Sequence, residues 1–180
     1  SGLFYAFSRI GCTTTVINEL AHISLRGSGF LTKAMNRIVR STQIRDFNSQ
    51  LIKISKSVKS DLVLIYKGAF IEPETIQFWK NLGVPVVNFF PDVSFLAHGK
   101  YIPKCVPLYD HIFTTETFGA KDLQYHFGCA PSKVSFIPHG FDPLIHRKLH
   151  VLQSSFSCEA SFIGNYSKHK ESYLVSAMER

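Results

Sequence analysis

Four short apolar runs constrain this chain more than any other feature in it. They are residues 62–66, 85–90, 111–115 and 134–137, and each is followed by a polar residue, a proline or a glycine. They recur at intervals of roughly 20 to 25 residues, with helical patterns between them, which is the repeat of strand–helix–strand units and predicts a parallel sheet. The run Leu62-Val-Leu-Ile-Tyr66 is apolar on both faces, as a parallel strand buried between helices must be. Between the strands, Pro73 suits the first turn of a helix, Glu72 and Glu74 suit its positive end, and Ile76, Trp79 and Leu82 give it one apolar stripe closed by Gly83. A helix over 118–127 is predicted to stop at Gly128, and a Gly- and Pro-containing loop to fill 92–107. Upstream, helices are predicted over 3–10, 31–39 and 48–58, and β-branched residues 13–17 read as a further strand. A helix feeding a parallel strand implies a preceding strand and glycine-rich loop, so the chain reads as starting inside its domain.

At 45% hydrophobic and 18% charged, the composition is that of a folded domain, not a disordered segment. No apolar run approaches the roughly 20 residues that span a bilayer. The first residues lack Met and the basic start of a signal peptide, and read as a cut or processed end. Cys12, Cys105, Cys129 and Cys158 are scattered, and His126-x-x-Cys129 is half of a metal pattern, so neither a structural zinc nor any other metal cofactor is expected and a reducing cytoplasm is the simplest setting. The formal net charge of +7 is uneven: Arg26, Lys33, Arg37, Arg40, Arg45, Lys53, Lys56 and Lys59 face Asp46 alone over that stretch. This is either a solvated helix face or an attractor of an anionic partner, a membrane surface or a phosphorylated acceptor. No nucleic-acid-binding motif accompanies it. Gly27-Ser-Gly29 reads as a connector or as an anion-binding turn before a helix.

Ligands of open parallel sheets bind beyond the carboxyl ends of the strands. Polar groups arrive at four such ends here: Lys67 and Gly68 after the first run, Asp92 after the second, Glu116 after the third, His139 and Gly140 after the fourth. Lys67 can hold a phosphate or carboxylate, or pair with Asp92 or Glu116. Asp92 can take a proton from an acceptor hydroxyl, or cap a helix over 93–97. His98 and His139 can bond a sugar or phosphate, or serve only as loop residues.

The run 134–137 ends at Pro138, and Gly140 is expected to make a turn closed to other residues. A second strand–helix pattern then begins, with a strand over 160–163. The junction Phe-Ile-Pro-His-Gly-Phe-Asp, residues 136–142, followed by Ala-Ser-Phe-Ile-Gly-Asn, residues 160–165, and a Lys-bearing helix start resembles the domain junction of GT-B glycosyltransferases. Asp61-Leu-Val-Leu-Ile-Tyr-Lys-Gly and Tyr109-Asp-His-Ile-Phe-Thr-Thr resemble the CgeB-like (spore maturation protein) branch of that group. The resemblance spans most of the chain and rests on the order and spacing of the motifs. It implies an α/β, Rossmann-like parallel sheet flanked by helices over 1–142, an interdomain linker over 143–157, and over 158–180 the first strand–helix unit of a second, truncated Rossmann-like domain. It implies transfer of a sugar from a nucleotide-sugar, a co-substrate and not a cofactor, to an acceptor hydroxyl on a glycan, a protein or a lipid-linked carrier. Asp92 and His139 would be catalytic. Lys67, Gly68, His98, Glu116 and Gly140 would bind substrate. Gly164 with Lys168 and Lys170 would meet the donor diphosphate at a helix start capped by Ser167. The setting would be the cytoplasm or the inner membrane face. A non-catalytic binding or assembly module of a coat or surface-polymer system is the alternative.

Overall fold

The structure, a computed structural model, describes residues 2–23, 30–148, 158 and 161–178, with only the backbone at residues 20 and 30–38. The Gly27-Ser-Gly29 connector and most of the expected linker, 149–157, lie outside the described residues. The chain divides into two compact units, Ser1–Phe141 and Asp142–Arg180.

The first unit is an α/β domain built on a four-stranded parallel sheet flanked by helices. In chain order its elements are α1 (Gly2–Arg9), α2 (Phe30–Ser57), β1 (Val63–Tyr66), α3 (Pro73–Asn81), β2 (Val86–Phe90), α4 (Ile102–Cys105), β3 (His111–Thr114), α5 (Gly119–Phe127) and β4 (Val134–Phe136). The strands lie in the order β1-β2-β3-β4, every pair parallel. In register, Ile65 faces Asn88, Asn88 faces Ile112, and Ile112 faces Val134. These residues share one side of the pleat with Val86, Phe90 and Thr114, and it is the buried side. Trp79, Ile76, Ile102, Val106 and Leu123 join them in one core. The other side carries Leu64, Val87, Phe89 and Phe113, half-buried, and Tyr66, exposed and stacked on Phe89.

Local chemistry accounts for the element ends. Pro73 starts α3, where its missing N–H costs nothing. Gly128 ends α5 in the left-handed conformation, its N–H bonded to Gln124 O. Helix α2 is fastened to α3 by polar groups. Buried Asn48 bonds Ile44 O, Phe70 O, the Glu72 N–H and the Thr75 hydroxyl. The Trp79 indole N–H donates to Ser55 Oγ at 2.7 Å.

Several expectations are corrected. The helices expected over 31–39 and 48–58 are one helix, because no Pro or Gly interrupts 40–47 and Ile44, Phe47 and Leu51 continue one buried stripe. Residues 13–17 join no sheet: Val16 is exposed, and β-branched propensity without a pairing partner does not make a strand. The loop after β2 contains α4 and a 3₁₀ turn, Val106–Leu108, with prolines in their first turns. No helix forms over 93–97, so Asp92 caps none.

In the second unit, α6 (Lys168–Met178) is the one regular element among the described residues. Residues 161–163 are exposed and unpaired, so the expected strand there is absent; a lone strand has nothing to satisfy its backbone. Ser167 does cap α6, its Oγ accepting the Lys170 N–H at 3.2 Å. No described helix is long and apolar enough to cross a membrane.

Candidate functional site

The carboxyl edge of the sheet begins with a strained turn. Lys67 has φ 62°, and it is the one non-glycine residue with positive φ among the described residues. Its N–H extends the ladder to Phe89 O at 2.8 Å. Gly68 follows at φ 83°, and there only glycine fits: a Cβ would lie 2.8 Å from Ile65 Cγ2 and 3.1 Å from the Tyr109 hydroxyl. Beneath the turn, Asn88 Nδ2 donates to Ile65 O at 3.1 Å and to Lys67 O at 3.3 Å. Asn88 also bonds the phenol of Tyr109, whose burial pushes its pKa well up and keeps it neutral. A buried polar pair from β2 and the chain just before β3 thus props the backbone that presents Lys67.

The lysine reaches across the end of β2. Its Nζ lies 2.7 Å from Asp92 Oδ2, and His98 Nε2 lies 3.5 Å from the same oxygen. All three side chains are about one third exposed, so the contact is partly screened and contributes at most about 1 kcal/mol. Asp92 Oδ2 is buried and accepts no hydrogen bond of good geometry, so the lysine contact is Coulombic and acceptor capacity remains. On the adjoining strand end Thr115 is 7% exposed, its N–H bonded to Phe90 O, and its Oγ1 likewise has no partner among the described residues. Buried polar atoms left this way are uncommon, and a water, a ligand or local strain accounts for them. Glu19, in the 3₁₀ turn Glu19–Ala21, feels the same lysine: burial raises its carboxyl pKa and the Lys67 charge opposes the rise.

The sheet therefore gathers Lys67, Gly68, Asp92 and His98, and settles the partner of Lys67 as Asp92. Glu116 stands beyond β3 on the same edge, but its carboxylate makes no bond or ion pair with the described residues; its backbone is held, the N–H by Thr114 Oγ1 and the carbonyl by the Gly119 N–H. His139 and Gly140 follow β4 and are exposed. Gly140 is not in the left-handed region and a Cβ there would meet open space, so the turn expected to require glycine does not.

In the second unit Gly164, Lys168 and Lys170 surround the start of α6. A methyl on Gly164 would press on the Phe162 ring at 2.7 Å. Lys170 Nζ reaches Asn165 O at 3.4 Å, and Glu171, bonded by the Tyr166 hydroxyl, adds a negative charge to the same turn. A hollow of about 260 Å³ lies beside them, lined by Phe162, Tyr166, Lys170 and Leu174 among others. The larger hollow of the first unit, about 670 Å³, opens by Asp61, Trp79 and Val84, at the amino ends of β1 and β2, away from Lys67 and Asp92.

Sequence reading missed Asn88 and Glu19, and placed Thr115 at the end of the third strand without giving it a role. Asn88 had a signal, a polar residue inside the run Val-Val-Asn-Phe-Phe. Cys105 is no nucleophile: it is fully buried, bonds Ile71 O, and burial pushes its thiol up to about 12. Among the described residues no three His, Cys, Asp or Glu side chains gather as a metal site requires.

Fold and edge define a Rossmann-like α/β domain with a charged cluster where such sheets take ligands. Compared with known proteins, the chain matches no family model and no curated protein.

Proposed function

We propose that this chain is the acceptor-side part of a nucleotide-sugar-dependent glycosyltransferase. The observation that carries the reading is Asp92: a carboxylate at the carboxyl edge of a parallel sheet, steered by Lys67 at 2.7 Å, with a buried oxygen still able to accept a hydrogen bond. In an inverting transfer the acceptor hydroxyl donates its proton to Asp92 as its oxygen bonds the anomeric carbon, and the bond to the donor diphosphate breaks. His98 and Lys67 hold the carboxylate in place, and Lys67, Gly68, Glu116 and Gly140 are assigned to substrate by the resemblance, with His139 as a second candidate for proton transfer. Gly164, Lys168 and Lys170 are assigned to the leaving diphosphate, where amides and ammonium groups stabilise developing charge. The acceptor is a hydroxyl of a glycan, a protein or a lipid-linked carrier.

As the acceptor-side part the chain is expected to turn over no donor by itself, so the test is transfer of labelled sugar from UDP-, GDP- and TDP-sugars to acceptors in a cell extract with the chain joined to a whole donor-binding domain. Asp92→Asn should lower turnover by about 10²–10⁴-fold, the usual worth of a general base, with the circular dichroism spectrum unchanged. Turnover that survives in Asp92→Asn sinks the assignment of the base. A second reading is favoured by the same contact: a lysine already on Asp92 is also how a non-catalytic binding or assembly module would close its loop. In that case no donor is consumed and Asp92→Asn changes only stability.

A further inference from the structure

The long helix α2 has two unlike sides. With 100° of turn per residue and Ser49 taken as the reference, Arg45, Lys53 and Lys56 fall within about 40° of it. The buried Ile44, Phe47 and Leu51 fall about 140–160° away. All three basic residues are exposed, as are Thr42 and Ser49 between them, and the one acid on this side is Asp46. Along the axis they cover about 16 Å, and Lys59 continues the row just past the helix end. None of Arg40, Arg45, Lys53, Lys56 or Lys59 forms an ion pair with a carboxylate of the described residues, whereas Lys67 and Lys80 both do. Lys56 instead holds its ammonium group 5.9 Å from the centre of the Phe78 ring, while Arg40, whose guanidinium lies 5.0 Å from the centre of the Phe70 ring, stands on the opposite side of the helix and is no part of this face. Arg26, Lys33 and Arg37 belong to the same run of sequence, but their side chains lie outside the described ones.

We infer that this face of α2 docks on an anionic lipid surface. The charge is unneutralised and turned away from the core, and it lies on a straight rod suited to a plane of phosphates. A nucleic acid is the poorer fit, because the aromatic ring beside Lys56, that of Phe78, is half-buried beneath the ammonium group and offers bases no free face to stack on. In the same unit α1 exposes Leu3, Phe4 and Tyr5, side chains that a lipid interface can bury and a phosphate backbone cannot. The inference is independent of the reaction assigned to Asp92.

The test is co-sedimentation of the 180-residue chain with vesicles of phosphatidylcholine, with and without phosphatidylglycerol. Binding should require phosphatidylglycerol at about 0.02 M salt and be lost at about 0.5 M, where screening is complete within a few ångströms. The variant Arg45→Gln, Lys53→Gln, Lys56→Gln keeps helix propensity and should bind roughly a hundredfold more weakly, about fivefold for each charge. The exchange Arg45→Lys, Lys53→Arg, Lys56→Arg should bind like the parent. Removing three exposed charges elsewhere, Lys104→Gln, Lys121→Gln, Lys133→Gln, should weaken binding far less. Equal loss in both Gln variants would show a response to net charge alone and overturn the docking face. So would absence of binding at low salt, or tighter retention of duplex DNA or RNA through the same three residues.

Discussion

Asn48 is the residue whose loss should show most clearly how the first unit is held together. It is 2% exposed and makes four hydrogen bonds of 2.8–2.9 Å, two as donor to Ile44 O and Phe70 O, two as acceptor from the Glu72 N–H and the Thr75 hydroxyl. Every side-chain lone pair and proton that matters is used, so α2, the turn before α3, and the first turn of α3 meet at one amide. Asn48→Ala strands the Glu72 N–H, the Phe70 carbonyl and the hydroxyl of Thr75, itself 1% exposed; Ile44 O keeps its helical bond. At about 1–3 kcal/mol for each buried group left unpaired, and allowing the hydroxyl to rotate, the expected loss is about 3–5 kcal/mol. That is a large part of the 5–15 kcal/mol typical of a domain. Asn48→Asp should be worse than its shape suggests, because a buried carboxylate would face two carbonyl oxygens. The assay is urea unfolding followed by fluorescence of Trp79, the single tryptophan, which ties α3 to Ser55 of α2. In a double-mutant cycle with Thr75→Val the coupling should be about 1 kcal/mol. A loss for Asn48→Ala below about 1 kcal/mol, with the Trp79 transition unmoved, would show that apolar packing of Phe47 and Leu51 carries the interface and that the amide does not.

Gly68→Ala should cost about 2–4 kcal/mol in urea unfolding, from positive φ and from contact with Ile65 and Tyr109; a change within about 0.5 kcal/mol would mean the turn relaxes freely. Asp110 is a pH probe of the opposite sheet edge. Burial raises its carboxyl pKa, but the bonds from Lys80 and the Val86 N–H and the charges of Lys80 and Lys133 outweigh that, and the net shift is downward. A depressed folded pKa gives stability that is present above the ordinary carboxylate range and lost as pH falls through the folded value, so the advantage of the parent over Asp110→Asn should shrink from about pH 5 to about pH 3. An advantage that stays constant across that window would refute the ionic part of the contact.

The sheet was legible because parallel strands must be apolar on two sides, and only four runs in the chain were short, apolar and regularly spaced. Helix α2 was legible in principle: Ile44, Phe47 and Leu51 stand at helical spacing, but the basic residues around them hide the stripe. Residues 13–17 show the limit of propensity, since pairing is a property of the neighbour. The approach of Glu19 to Lys67 joins residues far apart in the chain and leaves no mark in the local pattern. The Lys67–Asp92 contact was one of two open pairings, and the β1–β2 register, Tyr66 beside Phe89, brings the two residues past adjacent strand ends.

The left-handed backbone at Lys67 bears on what the edge is for. A non-glycine residue at positive φ costs on the order of 1–3 kcal/mol, while a one-third-exposed ion pair returns at most about 1 kcal/mol. The pair with Asp92 therefore does not account for the turn. Gly68 and the bonds from Asn88 to Ile65 O and Lys67 O do, and they would serve as well if residue 67 were itself glycine. What a lysine adds at that place is an ammonium group held over a carboxylate with unused acceptor capacity, with a buried hydroxyl at the adjoining strand end that has no partner among the described residues. Strain of this size, propped from below by a buried amide and a buried phenol, is how a rigid scaffold presents a side chain to something outside itself. Strain at Lys67 that its ion pair does not offset therefore supports the proposed site over a simple loop clasp.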